Sequence, residues 1–280
     1  MSRYQAMFAS LRSRGEGAFG AFAMLGDPDL ETSASILDAL VEGGADMLEL
    51  GIPFSDPVAD GPVIQAAAVR ALRAGVRTAD CFQLIAEFRE RHPEVPVGIL
   101  TYANLVVARG RGAFYGAAAE AGVDSVLVAD VPMFESGPFL RSARSAGVAP
   151  VLIAAPNTPE ATLERIARDG DGYTYCVARS GVTGAHREAT FDGDVVATLR
   201  RLMAPPPVFG FGIARPDHVR AALEAGAEGV ISGSAIVSLI RDNSGGEAKA
   251  ARSLVAEMKA ATLASTADAA RRSAGRRTGL

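Results

Sequence analysis

Eight short apolar runs, each followed by a helical pattern, constrain the fold of this chain more than any other feature. Several are apolar at consecutive rather than alternate positions, which is typical of strands buried on both faces of a parallel sheet. The runs are Ala18–Leu25, Met47–Leu50, Val97–Tyr102, Ser125–Ala129, Val151–Ala154, Tyr173–Val177, Val208–Phe211 and Gly229–Ile231. Eight such units predict an α/β fold, a closed (β/α)8 TIM barrel, which needs about 250 residues.

A repeated phrase supports this alternation. Gly44-Ala45-Asp46, Gly122-Val123-Asp124 and Gly226-Ala227-Glu228 each indicate the end of a helix, a tight turn and the start of a strand. A doubly wound open sheet is the alternative, but it more often has five or six strands and a glycine-rich fingerprint after the first. No such fingerprint follows the first strand here.

Three segments lie outside the eight units. A first helix near Tyr4–Arg12 is predicted to cover the barrel bottom, and a stretch around Ile64–Ala74 to form an extra helix before the one at Ala79–Arg91. We predict that the catalytic domain spans residues 1–263. The small, polar, arginine-bearing tail 264–280 is predicted to be disordered; binding of an acidic partner by this tail is the alternative.

Composition excludes several classes of protein. The 280 residues are 49% hydrophobic, enough for one large core, and the formal net charge of -4 comes without the basic face of a nucleic-acid binder. We find neither a signal-peptide pattern nor an apolar run of the roughly 18 residues of a membrane helix, so we expect a cytoplasmic protein. Cys81 and Cys176 are predicted to be buried thiols rather than a disulfide.

The second strand carries an acidic residue inside an apolar run. It ends Met47-Leu48-Glu49-Leu50-Gly51, and in such barrels the reacting residues lie at the C-terminal ends of strands and in the loops that follow. A carboxylate there is costly unless it is paired or its pKa is raised. We predict that Glu49 is a catalytic acid or base; a salt bridge to a neighbouring arginine is the alternative.

The loop after this strand contains a second candidate. Residues 52–62 include three prolines, which stiffen the loop by fixing φ, so Asp60 can be held at a set distance from Glu49. Two carboxylates at one site can divide their roles, one carrying protons and one supplying fixed negative charge. Asp56, between Ser55 and Pro57, is predicted to make a turn or an interface contact instead.

A phosphate site is expected after the seventh and eighth strands. Gly212 and Gly233 let the backbone approach an anion, and Ser234 opens a helix whose free N–H groups favour negative charge. The alternative is that these glycines only form turns.

The sixth loop, residues 179–186, is glycine-rich and predicts a mobile lid, with an ordinary connector as the alternative. We predict structural or solvent-facing positions for His92, His186 and His218.

Missing residue types restrict the chemistry. Lysine occurs only at Lys249 and Lys259, in the last predicted helix, so neither a Schiff-base lysine nor an internal aldimine of pyridoxal phosphate is available at the strand ends. No histidine cluster or cysteine pair has metal-ligand spacing, so we expect no metal. Carboxylate acid–base chemistry remains, on a substrate that supplies its own electron sink. An indole ring is one such sink, and the residues alone do not select it.

Several segments closely resemble the signature sequences of tryptophan synthase alpha chains. The longest is residues 48–62, Leu-Glu-Leu-Gly-Ile-Pro-Phe-Ser-Asp-Pro-Val-Ala-Asp-Gly-Pro. The others are Gly26-Asp27-Pro28, Tyr102-Ala103-Asn104-Leu105, residues 122–132, Gly181-Val182-Thr183-Gly184 and Ile231-Ser232-Gly233-Ser234-Ala235. The resemblance covers roughly residues 2–262.

This resemblance implies cleavage of indole-3-glycerol phosphate to indole and glyceraldehyde 3-phosphate. Glu49 would transfer protons at the glycerol hydroxyl and at ring C3, Asp60 would accept a hydrogen bond from the indole N–H, and Tyr175 would be the active-site tyrosine. The remaining implied residues are an apolar lining of Phe22, Leu100, Leu127 and Phe211, a lid residue Thr183, and phosphate contacts at Gly184, Gly212, Gly233 and Ser234.

The resemblance also implies a partner, a pyridoxal-phosphate beta subunit in an α2β2 heterotetramer, and no cofactor in this chain. The implied contact surface includes Pro53, Phe54, Ser55, Asp56, Pro57, Asn104, Asp130, Val131, Pro132 and Gly181. Val107 and Ala108 differ from the bulkier or amide residues of many relatives, which leaves a stand-alone indole-releasing lyase as the alternative. A regulatory subunit with little activity and a different phosphate-binding barrel enzyme are further alternatives.

Overall fold

The structure, a computed structural model, describes residues 1–180 and 189–263. Its helices are α1 (Arg3–Arg14), α2 (Leu30–Glu42), α3 (Pro62–Arg73), α4 (Thr78–Arg91), α5 (Ala103–Val107), α6 (Arg111–Glu120), α7 (Gly137–Ser145), α8 (Glu160–Asp169), α9 (Gly193–Arg201), α10 (Pro216–Glu224), α11 (Ser234–Asp242) and α12 (Glu247–Ala260). Its strands are β1 (Ala18–Met24), β2 (Met47–Gly51), β3 (Val97–Thr101), β4 (Ser125–Val128), β5 (Ala149–Pro150), β6 (Leu152–Ala154), β7 (Thr174–Cys176), β8 (Arg179–Ser180), β9 (Ala189–Thr190), β10 (Pro207–Phe209) and β11 (Gly229–Ser232).

Nine parallel strands of the described residues form the barrel, in the order β5-β4-β3-β2-β1-β11-β10-β7-β6. The two ends of this order, β5 and β6, are separated only by Val151, whose N–H donates to the carbonyl of Val126 at 3.1 Å. They are two pieces of one interrupted strand, so the barrel closes with eight strands. The predicted (β/α)8 TIM barrel is confirmed. The short antiparallel pair of β8 and β9 lies outside the ring.

Helix α1 covers the bottom of the barrel, as predicted. Ser2 caps its N-terminus in a capping box, and Gly15 ends it in the left-handed conformation at φ 70°. Its buried face carries Tyr4, Phe8 and Leu11, and full burial of a large apolar side chain contributes about 1.5–3 kcal/mol. The helix is thereby fixed across the N-terminal ends of the strands.

The acidic residues of the repeated phrase lie at this bottom end, directly before β2, β4 and β11. Asp46 accepts hydrogen bonds from Lys259 Nζ at 2.8 Å and from the Phe19 N–H at 2.7 Å. Asp124 pairs with Arg89 at 2.8 Å and with Arg3 at 2.9 Å. Each carboxylate therefore meets a cation where a strand begins, and the pairs tie helices to the barrel floor.

The extra helix predicted near Ile64–Ala74 is α3, which begins two residues earlier than expected, and the following helix predicted at Ala79–Arg91 is α4, which begins one residue earlier. The short helix α5 has no counterpart among the predictions.

Cys81 on α4 and Cys176 on β7 are buried free thiols, as predicted. Among the described residues, no helix is both long enough and apolar enough to span a membrane. The boundary at 263 stays a prediction, since the tail 264–280 lies outside the described residues.

Candidate active site

Glu49 is a buried carboxylate at the middle of β2. Only 2% of its surface is exposed, and its Oε1 accepts a hydrogen bond from the Tyr173 hydroxyl at 2.7 Å. Burial raises the pKa of Glu49 to about 7, the negative charge of Asp60 adds to the rise, and the Tyr173 hydrogen bond opposes it. None of the ion pairs found within residues 1–180 and 189–263 includes Glu49, so the salt-bridge alternative has no support there.

Two tyrosines approach Glu49 from across the barrel. Tyr173 directly precedes β7 and Tyr175 lies within it, and both are buried. Residues two apart in a strand face the same side, so both rings enter the barrel interior. Their pKa values are raised well above the ordinary value, by burial first and then by the charge of Glu49. The sequence reasoning selected Tyr175 and missed Tyr173, although the two-residue spacing could have indicated it.

Asp60 lies in the loop between β2 and α3 and is half-buried. Burial raises its pKa, and a hydrogen bond from the Tyr102 hydroxyl opposes the rise. The same hydroxyl accepts the N–H of Ala59 at 3.3 Å, and the Tyr102 ring stacks on Phe54 with ring centroids 5.5 Å apart. Tyr102 therefore connects the end of β3 with Asp60 and with the part of the loop that precedes it. The motif Tyr102-Ala103-Asn104-Leu105 contains this tyrosine, but the sequence predicted no role for it.

One cavity of about 320 Å³ connects the candidate residues. It is lined by nine predicted site residues, namely Phe22, Glu49, Asp60, Leu100, Tyr175, Phe211, Gly212, Gly233 and Ser234. Leu127, expected in the apolar lining, is buried beside Leu100 on the neighbouring strand and is not part of the cavity wall. Thr183 and Gly184 lie outside the described residues, as do His186 and the other residues of the expected lid from 181 onward.

The cavity wall also contains residues that the sequence reasoning missed. They are Gly61, Pro62, Val63, Ile64, Gly210, Ile213 and Ile231. At Gly210 an added Cβ would overlap the ring of Tyr175, so glycine is required there for the phenol to occupy its place. Tyr175 also meets Phe211 edge to face, with centroids 6.0 Å apart. The missing side chain at Gly210 thus shapes the aromatic wall.

Another part of the cavity wall combines a glycine turn with a helix N-terminus. Gly212 has φ 77°, in the left-handed region, and Gly233 precedes α11, which begins at Ser234 without a side-chain cap. The first N–H groups of a helix and its dipole favour an anion. The cavity wall therefore includes both carboxylates and a helix N-terminus that suits an anionic group.

The described residues predicted to meet a partner lie in the segments that follow β2, β3 and β4, at the rim of the same barrel end, and Asn104 is in the short helix α5. Ser55, Asp56, Asn104, Asp130 and Pro132 are exposed, Phe54, Pro57 and Val131 are partly exposed, and Pro53 is buried. Asp130 also accepts the N–H of Ala103 at 2.7 Å, which links two of these loops. Gly181 lies outside the described residues.

The two described histidines lie away from the cavity, as predicted. His92 ends α4, where its Nε2 lies 2.9 Å from Asp38 Oδ1 and its ring stacks on Phe88. His218 accepts the N–H of Ala214 at 3.3 Å. Both have local structural contacts.

Comparisons with known proteins match nearly the whole chain. The family model described as "Tryptophan synthase alpha chain" matches residues 8–267. Curated proteins of that name from Shewanella oneidensis and Escherichia coli SMS-3-5 are each 52% identical; the first alignment covers 93% of this chain and 95% of the relative, the second 94% and 99%.

Solved structures agree with the sequence comparisons. Tryptophan synthase subunit alpha from Legionella pneumophila Paris superposes with a TM-score of 0.83 at 30% identity, covering 94% of this chain and 98% of that one. A structure from Aquifex aeolicus gives 0.84 at 33% identity, covering 94% and 100%. A structure of tryptophan synthase from M. tuberculosis gives 0.83 at 26%, covering 95% and 100%.

Proposed function

The chain belongs to the tryptophan synthase alpha chain family, and from that premise we propose that it cleaves indole-3-glycerol phosphate into indole and glyceraldehyde 3-phosphate. The observation that carries the proposal is a buried Glu49 with a pKa of about 7, sharing one cavity with Asp60. General acid–base groups work best when their pKa lies near the operating pH. Both protonation states of Glu49 are then populated near neutrality.

Glu49 is the proton carrier in this mechanism. Its protonated form delivers a proton to C3 of the indole ring, which leaves an iminium at the ring nitrogen. The resulting carboxylate then removes the proton of the glycerol hydroxyl next to the ring. The C–C bond breaks, its electron pair returns to the iminium, and the hydroxyl-bearing carbon becomes an aldehyde. Glu49 ends protonated, so proton and charge balance.

Asp60 supplies fixed negative charge. Its carboxylate accepts a hydrogen bond from the indole N–H and favours the positive charge that develops on the ring after protonation. Tyr175 and Phe211 offer aromatic surface to the ring, with Phe22 and Leu100. Leu127 lies beside Leu100 on the neighbouring strand, and it is not among the residues that line the cavity.

The phosphate of the substrate is assigned to the part of the cavity wall that includes the helix N-terminus. Gly212, Gly233 and the first N–H groups of α11 at Ser234 supply backbone donors there. Family likeness alone supports a further phosphate contact at Gly184 and a closing lid at Thr183.

The family implies a beta-chain partner, and we propose an α2β2 heterotetramer in the cytoplasm. We assign pyridoxal phosphate to the beta subunit, because its covalent attachment needs a lysine at the site. Both lysines of this chain lie on α12, and Lys259 is paired with Asp46 and Glu16 on the barrel floor. The proposed contact surface is the rim with Ser55, Asp56, Pro57, Asn104 and Asp130, together with Pro53, Phe54, Val131, Pro132 and Gly181.

A stand-alone indole-releasing lyase is not favoured, because the named relatives are alpha chains. The decisive experiment measures indole release from indole-3-glycerol phosphate by the purified chain, alone and with a beta subunit. Slow release that rises strongly with the beta subunit is the expected result. Fast release without a partner would support the lyase, and absence of indole in both cases would contradict the proposed reaction.

A further inference from the structure

A buried ion pair joins the end of β1 to α3, and the proposed reaction gives it no role. Asp27 has 3% of its surface exposed, and its two carboxylate oxygens accept hydrogen bonds from Nε and Nη2 of Arg70, each at 2.7 Å. Burial raises the pKa of Asp27, and the guanidinium opposes the rise. A buried charge without its partner is strongly unfavourable, so the pair holds the turn after β1 and helix α3 together.

Helix α3 directly follows the loop that carries Asp60. The helix begins at Pro62, and in its first turn Gln65 Nε2 donates to the carbonyl oxygen of Asp60 at 2.8 Å. The backbone N–H of Gln65 also bonds to the carbonyl of Gly61 at 3.0 Å. A rotation or shift of α3 therefore moves the backbone of Asp60 with it.

The fully buried contacts of α3 involve only small side chains, namely Ala67, Ala68 and Ala71. Val63 and Ile64 in its first turn are partly buried against the core. Alanine buries little apolar area and gives the helix little directional preference, whereas a two-point guanidinium–carboxylate bond has a defined direction. Arg70 lies eight residues after Pro62, about two helical turns, so the bond acts on the helix as a whole.

The turn that contains Asp27 has other supports. The N–H of Gly26 donates to Ser33 Oγ at 3.0 Å, and Asp29 caps α2 by accepting the N–H of Thr32 at 2.8 Å. Loss of the Asp27 carboxylate therefore leaves these contacts of the turn in place. The segment that loses its directional anchor is α3.

We propose that Asp27 and Arg70 are positioning residues for Asp60, and that their ion pair holds α3 in the rotation that directs the Asp60 carboxylate into the cavity. The inference rests on the proposed function, because it takes Asp60 as a group that meets the substrate. A misplacement of about 1 Å at a reacting site can lower a rate by on the order of 100-fold.

Two variants test the pair. Asp27→Asn keeps the shape and removes the charge, and Arg70→Lys keeps the charge and removes the two-point bond. We expect kcat for indole release to fall by roughly 10-fold to 100-fold in Asp27→Asn, and by less in Arg70→Lys. We expect KM to stay within about twofold, because the phosphate contacts lie on α11 and after β10. Unchanged kcat in both variants would overturn the proposal.

The discriminating measurement repeats each variant with Asp60→Asn. If the pair acts through Asp60, Asp27→Asn should change kcat by less than about twofold in that background, since interacting sites are not additive. The same fold loss in both backgrounds would overturn the positioning role and leave the proposed function intact. An unchanged kcat in Asp60→Asn alone would overturn both. If Asp27→Asn does not fold, as judged by near-ultraviolet circular dichroism, Arg70→Lys in the two backgrounds decides. Glu42→Gln, at the exposed pair with Arg252, is the control and should leave kcat unchanged.

Discussion

Strand β2 has one carboxylate before its first residue and another at its third, and the two have opposite surroundings. Asp46, at the barrel floor, meets Lys259 at 2.8 Å and the N–H of Phe19 at 2.7 Å. Glu49, three residues later, accepts a hydrogen bond from the neutral hydroxyl of Tyr173, and the negative charge of Asp60 raises its pKa. Burial raises the pKa of both groups, but only at Asp46 does a cation oppose that rise.

The difference separates two uses of the same chemical group in one barrel. A carboxylate with a cation and a backbone donor is held in its charged form and ties segments together. A carboxylate buried without a cation can gain and lose a proton near neutral pH, which is what acid–base catalysis needs. Asp46, at the floor of the barrel, therefore stabilises the fold, whereas Glu49, in the cavity, keeps a carboxyl group that no cation pairs with among the described residues.

The largest expected effect is that of Glu49→Gln on turnover. The amide keeps the shape and cannot carry the proton, so kcat for indole release should fall by about 10²–10⁴-fold. The chain should be no less stable, because a buried acid without a cation is removed. Steady-state kinetics and urea unfolding at pH 7.5 test both parts. If Glu49→Gln lowered the free energy of unfolding and kept kcat unchanged, Glu49 would have the structural role that we assign to Asp46.

Asp46→Asn should have the complementary effect. The amide removes a charged acceptor from Lys259, which still pairs with Glu16, and loss of a hydrogen bond to a charged group costs about 1.5–3 kcal/mol. We expect the free energy of unfolding to fall by that amount, while kcat per folded molecule stays unchanged. Urea unfolding and active-site-normalised kinetics provide the measurement. A large loss of kcat in folded protein would show that the floor also takes part in the chemistry.

The pH dependence of stability should reveal the raised pKa of Glu49. Because its folded pKa of about 7 exceeds the ordinary 4.5, the protonated acid favours the folded state. That stability is complete below about pH 4.5 and is lost as the pH rises through about 7. Relative to Glu49→Gln, the wild type should lose at most about 3 kcal/mol across this window. A constant difference between the two proteins at pH 5, 6 and 7.5 would contradict the assignment.

Tyr173→Phe should have a smaller effect on the same titration. The Tyr173 hydroxyl lowers the pKa of Glu49 by donating to its charged form, so its removal should move the titration of Glu49 upward from about 7. The pH profile of kcat, or carboxyl carbon NMR of the free protein, would detect the shift. A downward shift would mean that the hydroxyl favours the neutral acid.

The smallest effect is expected at an exposed pair. Glu42 and Arg252 form a bridge at 3.0 Å with both side chains more than half exposed. Such pairs contribute about 0–1 kcal/mol, so Glu42→Gln should change the free energy of unfolding by no more than that. A loss comparable with that of Asp46→Asn would show that the buried setting of Asp46 is not the cause of its effect.

The pattern of apolar runs predicted the barrel because local and global requirements coincide in it. Strands covered on both faces must be apolar at consecutive positions, so eight runs were visible without any contact information. The interruption at Val151 was not visible, because pairing of β5 with β4 and of β6 with β7 depends on neighbours far away in sequence.

The sequence also predicted which groups are candidates for the chemistry. A carboxylate in an apolar strand end and the restriction of lysine to the last helix pointed to Glu49 and to acid–base catalysis. The three-dimensional contacts show that Tyr173 bonds to Glu49, that Gly210 makes room for Tyr175, and that Leu127 is not part of the cavity lining, none of which the sequence indicates. Residue type and strand period are local properties, whereas these contacts depend on the register and closure of the ring, which bring residues more than 100 positions apart to hydrogen-bonding distance.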